Sequence, residues 1–117
     1  MIDLSKKRLK NRVGIDLTKI QDIDPRKIEF ISSNTVVSSF VKTYEVDTTG
    51  GNVTVTFDLK NEVYNTAQIW NFKKMVAPNR LIISVNGGTI DGAASQTIRR
   101  RFSNLSVQYD GINFIIL

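Results

Sequence analysis

The 117-residue sequence predicts an all-β protein: a single β-sandwich or jelly-roll-like domain preceded by an extended basic N-terminal arm. Three observations predict it. Val, Ile and Thr fill 35 of the 117 positions, and β-branched side chains favour pleated strands over helices. Apolar residues recur with a period of two in short runs bounded by Gly, Asn and Asp, without a sustained helical period. Charge also divides the chain. Residues 1–27 carry eight Lys/Arg against four Asp, whereas residues 28–117 carry eight against seven acids. The expected organisation is an arm, 1–27, and a β domain, 28–117, of a size that suits one hydrophobic core and not two.

Within the arm, Ile2-Asp3-Leu4-Ser5-Lys6 recurs thirteen residues later as Ile15-Asp16-Leu17-Thr18-Lys19. Between the copies, Lys6, Lys7, Arg8, Lys10 and Arg12 place five basic residues in seven. The apolar–polar alternation is that of a strand added to a sheet edge, so the arm reads as a docking segment. Ile2, Leu4, Ile15 and Leu17 supply its apolar contacts, and the basic residues with Lys19 supply its charge. Nucleic-acid binding is the alternative, since the same cations neutralise phosphates. Residues 1–29 contain no Phe, Tyr or Trp to stack on bases, which weighs against it. A merely solvated tail has no reason to repeat the alternation.

The body follows in order. Phe40, Tyr44 and Val46 share strand parity, and Thr48-Thr49-Gly50-Gly51 supplies a turn into Val53–Leu59. There Val53, Val55, Phe57 and Leu59 alternate with polar residues. Residues 61–76 admit two readings. Asn61 is a helix cap and Pro78 a stop, but the helical projection scatters the apolar residues round the whole circumference. Tyr64, Trp70 and Phe72 share strand parity, so a strand is expected. Leu81–Val85 is a third apolar run, closed by Asn86-Gly87-Gly88. Arg99-Arg100-Arg101, read as a strand, places Arg99 and Arg101 on one face, either guarding an edge or meeting acidic groups of a partner. Last, Leu105, Val107 and Tyr109 face Ile112, Phe114 and Ile116 across Asp110-Gly111, a two-residue hairpin signal. That turn pairs Tyr109 with Ile112 and sets Gln108 opposite Asn113. Ile115 and Leu117 are apolar on the second face, which marks them as an oligomer interface.

The chain contains no Cys and no His, which excludes disulfides, Cys or His metal sites, thiol nucleophiles and imidazole bases. Asp22 and Asp24 beside Pro25 read as turn or cap residues. Gly87-Gly88 lacks the Lys-(Ser/Thr) of a phosphate loop. The aromatics Tyr64, Trp70, Phe72 and Tyr109 read as core in preference to a stacking platform. No enzyme, catalytic residue, cofactor or metal is expected. No apolar run approaches the roughly 20 residues of a membrane helix, and the charged start lacks the apolar stretch of a signal peptide. Synthesis in a cytoplasm without membrane insertion is the expectation.

The segment from Val76-Ala77-Pro78-Asn79-Arg80 through Asn86-Gly87-Gly88 to Arg100-Arg101-Phe102-Ser103-Asn104-Leu105-Ser106-Val107-Gln108-Tyr109-Asp110-Gly111-Ile112-Asn113-Phe114 resembles the endings of small β domains in tailed-bacteriophage virion proteins. These include head fibres, capsid decoration proteins and tail-fibre modules. Tyr109-Asp110-Gly111 matches their closing motif, and Phe114 stands where Trp is frequent. The resemblance implies a virion structural protein, a decoration or head-fibre type, whose basic arm anchors it to the major capsid or another virion protein. It also implies a homo-oligomer, most often a trimer. A host receptor-binding fibre domain is the third expectation it leaves open.

Overall fold

The structure, a computed structural model, describes residues 27–117, which form nine strands in two packed sheets, a sandwich-like all-β architecture. The strands are β1 (Ile28–Ile31), β2 (Thr35–Val36), β3 (Thr43–Val46), β4 (Val53–Asp58) and β5 (Ile69–Lys74). They continue as β6 (Leu81–Asn86), β7 (Ser95–Ile98), β8 (Asn104–Tyr109) and β9 (Phe114–Ile116). One sheet runs β1-β3-β5-β8-β9 and the other β2-β4-β6-β7.

From β1 to β6 the chain alternates between the sheets, so each strand reaches its neighbour by crossing the sandwich and returning. The pairs β1–β3, β3–β5, β2–β4 and β4–β6 are consequently parallel. Only β5–β8, β6–β7 and β8–β9 are antiparallel. The turn expected at Thr48–Gly51 forms, but the strands it joins do not pair with each other. That turn carries the chain from β3 in one sheet to β4 in the other, closed by Gly51 N–H on Thr48 O at 3.2 Å. The parallel pairing departs from the antiparallel Greek keys of a jelly roll.

The inner faces carry the alternation read from the sequence. Val53, Val55 and Phe57 of β4 and Leu81, Ile83 and Val85 of β6 are buried against Tyr44, Val46, Trp70, Phe72, Val107 and Phe114. Phe57 is the hub. Its ring centroid lies 5.0 Å from Trp70, 5.5 Å from Tyr64, 5.6 Å from Phe72 and 4.1 Å from Phe114. Tyr64, Trp70 and Phe72 are core, with Tyr109 packed against it.

The polar tips of these rings hold the irregular segment after β2. Tyr64 Oη donates to Val37 O at 2.8 Å and accepts from Asp58 N at 3.0 Å. Tyr44 Oη accepts from Ser38 N, and Trp70 Nε1 donates to Ser38 O at 3.1 Å. Buried aromatics with polar atoms thereby keep those atoms paired. Phe40, which shares parity with Tyr44, is 80% exposed because it sits in this segment and not on β3. Residues 61–76 form no helix. Their strand is confined to β5, preceded by an irregular stretch from which only Tyr64 turns fully inward.

The β8–β9 hairpin forms, but its register is shifted by two. Tyr109 pairs with Phe114, Gln108 with Ile115 and Val107 with Ile116. The Asp110 carboxylate accepts from the amides of Ile112 and Asn113, each at 2.8 Å, and Asp110 N–H donates to Asn113 O at 2.9 Å. This side-chain-capped loop, with Gly111 at φ 101°, outcompetes the two-residue turn. A shift of two preserves the faces, because strand side chains alternate. It leaves Ile112 76% exposed and brings the Phe114 ring within 4.8 Å of Tyr109. Asn113 no longer opposes Gln108 and instead accepts from Thr89 N at 3.0 Å.

Candidate interaction surface

Two kinds of surface meet at one end of the five-stranded sheet, where β1, β3 and β5 finish and β8 begins. The register lines Phe30, Glu45, Lys73 and Asn104 in a row on the outer face. Beside that row stands the basic cluster. Arg99, Arg100 and Arg101 are all exposed, in the turn between β7 and β8 and not in a strand, so no strand face selects among them.

This turn is pinned to the end of β5. Phe102 N–H donates to Lys74 O at 2.6 Å, Lys74 N–H to Ser103 O at 3.1 Å, and Ser103 N–H to Arg100 O at 3.3 Å. The Lys74 side chain is fully buried, and its ammonium donates to the carbonyls of Val76 and Ala77. A buried charge needs such partners, and here they tie the chain leaving β5 to its last residue. Phe102 is thereby held at φ 61°, a region that bulky side chains rarely occupy. Its ring is 54% exposed, with Arg101 Cζ 4.5 Å and Lys73 Nζ 5.8 Å from the centroid. Both lie within range of a cation–π contact. The corner therefore presents guanidinium forks and an aromatic face together, suited to carboxylates or phosphates. Sequence reasoning found the arginines but missed Phe102 as their partner, although it follows them directly. Nothing in the sequence reports the approach of Lys73.

On the β1 side of the same end lies a groove of about 410 Å³, lined by Phe30, Ile31, Glu45, Asp47, Met75 and Val76. Its floor is apolar and its only charges are acidic. Phe30 is 75% exposed. At the opposite edge of the sheet, in the lane next to β8, Ile115 and Leu117 of the β9 segment are 38% and 62% exposed. The arm residues Ile2, Leu4, Lys6, Lys7, Arg8, Lys10, Arg12, Ile15, Leu17 and Lys19, with Asp22 and Asp24, lie outside the described residues.

The perturbed ionisable groups serve the turns and the core. The Asp110 carboxyl is held below the usual carboxylate range by the amides of Asn113 and Ile112. Asp58 is held low by the Asn61 side chain, and Asp47 by Thr49. Burial pushes the Tyr64 hydroxyl up to about 12. Among the described residues, no three His, Cys, Asp or Glu side chains converge as metal ligands would. No protein-family model matches the chain, and no curated protein matches it in sequence.

Proposed function

We propose that this chain is a non-enzymatic structural protein of a tailed-phage virion, a capsid decoration or head-fibre type attached through its N-terminal segment. The observation that carries the reading is the single end of the sheet where exposed Phe30, the acidic apolar groove and the pinned Arg–Phe102 corner lie side by side. Such a surface binds and orients macromolecules. The Tyr109-Asp110-Gly111 ending and the basic first 27 residues, net +4, supply the virion assignment and the anchor. Homo-oligomerisation through Ile115 and Leu117, as a trimer, belongs to the same proposal.

Incorporation into assembled particles tests it, with location read from particle density. Docking by strand addition makes Ile2, Leu4, Ile15 and Leu17 matter more than the lysines, so replacing all four with Ser abolishes incorporation. Replacing Lys6, Lys7, Arg8, Lys10 and Arg12 with Gln only weakens it, in a salt-dependent way. Incorporation that survives the Ser changes but not the Gln changes overturns strand-addition docking. One observation favours a second reading: Phe102 flanked by Arg101 and Lys73 supplies the stacking group that the arm lacks. Single-stranded DNA binding that falls steeply with salt and is lost in Phe102→Ala would establish a nucleic-acid module instead.

A further inference from the structure

The doubled pentapeptide has a third member, visible once β1 is known. Ile2-Asp3-Leu4-Ser5 and Ile15-Asp16-Leu17-Thr18 are followed, after the same thirteen-residue step, by Ile28-Glu29-Phe30-Ile31. That third member is β1 itself. Each copy has Ile, then an acid, then a large apolar residue, so the spacing that looked like a property of the arm runs into the folded sheet.

β1 is an edge strand of the described sheet, paired only with β3. The carbonyls of Lys27 and Ile31 accept from amides on the β3 side. By strand alternation, the N–H and C=O groups of Ile28 and Phe30 point to the outer edge, a template for another strand. The fold already adds parallel strands to this sheet by crossing and returning, with residues 32–42 between β1 and β3.

We infer that Ile15–Thr18 of the same chain pairs in parallel with the outer edge of β1, adding one further lane to the five-stranded sheet. Residues 19–27, the connection, reach about 30 Å when extended. Retracing a four-residue strand takes about 13 Å and the neighbouring lane lies about 5 Å away, so the link is long enough. In this register Ile15 adjoins Ile28, Leu17 adjoins the exposed Phe30, and Lys19 adjoins Ser32 at the acidic groove that Glu45 and Asp47 line. The register also sets Asp16 beside Glu29 on the opposite face, a like-charge contact that costs stability. Tethering makes the same-chain segment the favoured occupant over a second copy at ordinary concentrations. Ile2–Lys6 and the basic run then remain for a partner. The inference concerns the isolated chain; docking through Ile15 and Leu17 would require them to leave β1 on assembly, and its test, which needs no particles, holds or fails separately from the virion reading.

Residue-resolved hydrogen exchange on the full 117-residue chain tests it. The Ile28 and Phe30 amides should exchange at least tenfold more slowly than in a Thr18→Pro variant, since in this register the Thr18 N–H donates to Phe30 O and Pro has no N–H to give. The Glu29 and Ile31 amides, which face β3, should be unchanged and report that the body is folded. The chain has no native Cys, so a Leu17→Cys/Phe30→Cys variant adds a direct reading under mild oxidation. Crosslinking within one chain is expected, and a Leu17→Cys/Asn104→Cys pair should stay open. Crosslinks only between chains would assign the lane to a second copy and overturn the same-chain assignment. Equal exchange at Ile28 and Phe30 with and without Thr18→Pro would overturn strand addition altogether.

Discussion

Replacing Tyr64 with Phe isolates the polar tip of a ring whose apolar contacts are kept. The ring stays against Phe57, Trp70 and Phe114, with centroids 5.5, 5.4 and 5.9 Å away. What disappears is the hydroxyl that donates to Val37 O and accepts from Asp58 N. A net hydrogen bond is worth about 0.5–1.5 kcal/mol, and a buried partner left unpaired costs about 1–3 kcal/mol. The expected loss is therefore about 2 kcal/mol. For a domain of this size that lowers Tm by roughly 8–16 °C. Urea unfolding followed through the single tryptophan, buried Trp70, gives the measurement directly. The m value should not change, because the surface exposed on unfolding is the same. Tyr109→Phe is the control: its hydroxyl donates to Gly111 O in an exposed loop, and its loss should stay within about 0.5 kcal/mol.

The same variant carries a pH signature. Burial raises the Tyr64 hydroxyl from its ordinary value near 10 to about 12 in the folded chain. The stability linked to this group is complete below pH 10 and is lost as pH rises through 12. The gap between the wild type and Tyr64→Phe should therefore narrow across that window. A loss below about 0.5 kcal/mol, or one equal to that of Tyr109→Phe, would refute the claim that Tyr64 fastens the segment after β2 to the core.

Two further outcomes follow from the same packing and loops. Phe57→Ala empties the hub of the aromatic cluster and should cost about 3–5 kcal/mol in urea unfolding, whereas a loss under about 2 would mean the cluster collapses to fill the space. In Asp110→Asn, the folded carboxyl of the wild type lies below its unfolded value, so its contribution is present above the unfolded value and lost as pH falls through the folded one. The Tm gap between the two proteins should accordingly be full at neutral pH and close in acid, and a gap that persists at pH 2 would separate the loop from this charge.

The sequence reveals which face of a strand is buried far better than which strand lies beside it. Val53, Val55 and Phe57, or Leu81, Ile83 and Val85, declare their inner face because each alternates with a polar residue, and all six are buried. Partnership comes from turn chemistry, and there the signal is ambiguous. Thr48-Thr49-Gly50-Gly51 has the same composition whether the chain folds back within a sheet or crosses about 10 Å to the facing one. Asp110-Gly111 is ambiguous in another way. The dipeptide favours a two-residue turn, but the Asp110 carboxylate can instead gather the next two free amides and move the pairing by two. β7, Ser95–Ile98, escaped notice because among its residues only Ile98 is buried. The basic corner was half legible for the same reason. Three consecutive arginines are plain in one dimension, whereas Lys73 joins them only because β8 lies antiparallel to β5.

The status of β1 shows what a repeat means physically. Read alone, Ile28-Glu29-Phe30-Ile31 is a weak strand: Ile28 and Phe30 face outward, and Ile31 is only partly buried. A short edge strand with exposed apolar residues is a liability for a free protein, since it invites another strand. The two upstream pentapeptides have the spacing, the apolar positions and the acid of that same strand. The nearer of the two, Ile15–Thr18, is the segment inferred above to cover the edge that β1 leaves open. Glu for Asp and Phe for Leu preserve residue type while hiding the third copy from literal comparison. Slower exchange at Ile28 and Phe30 in the native chain than in Thr18→Pro would make the repeat one strand pattern whose innermost member, β1, is fixed against β3; equal exchange would leave the two upstream copies as docking motifs alone.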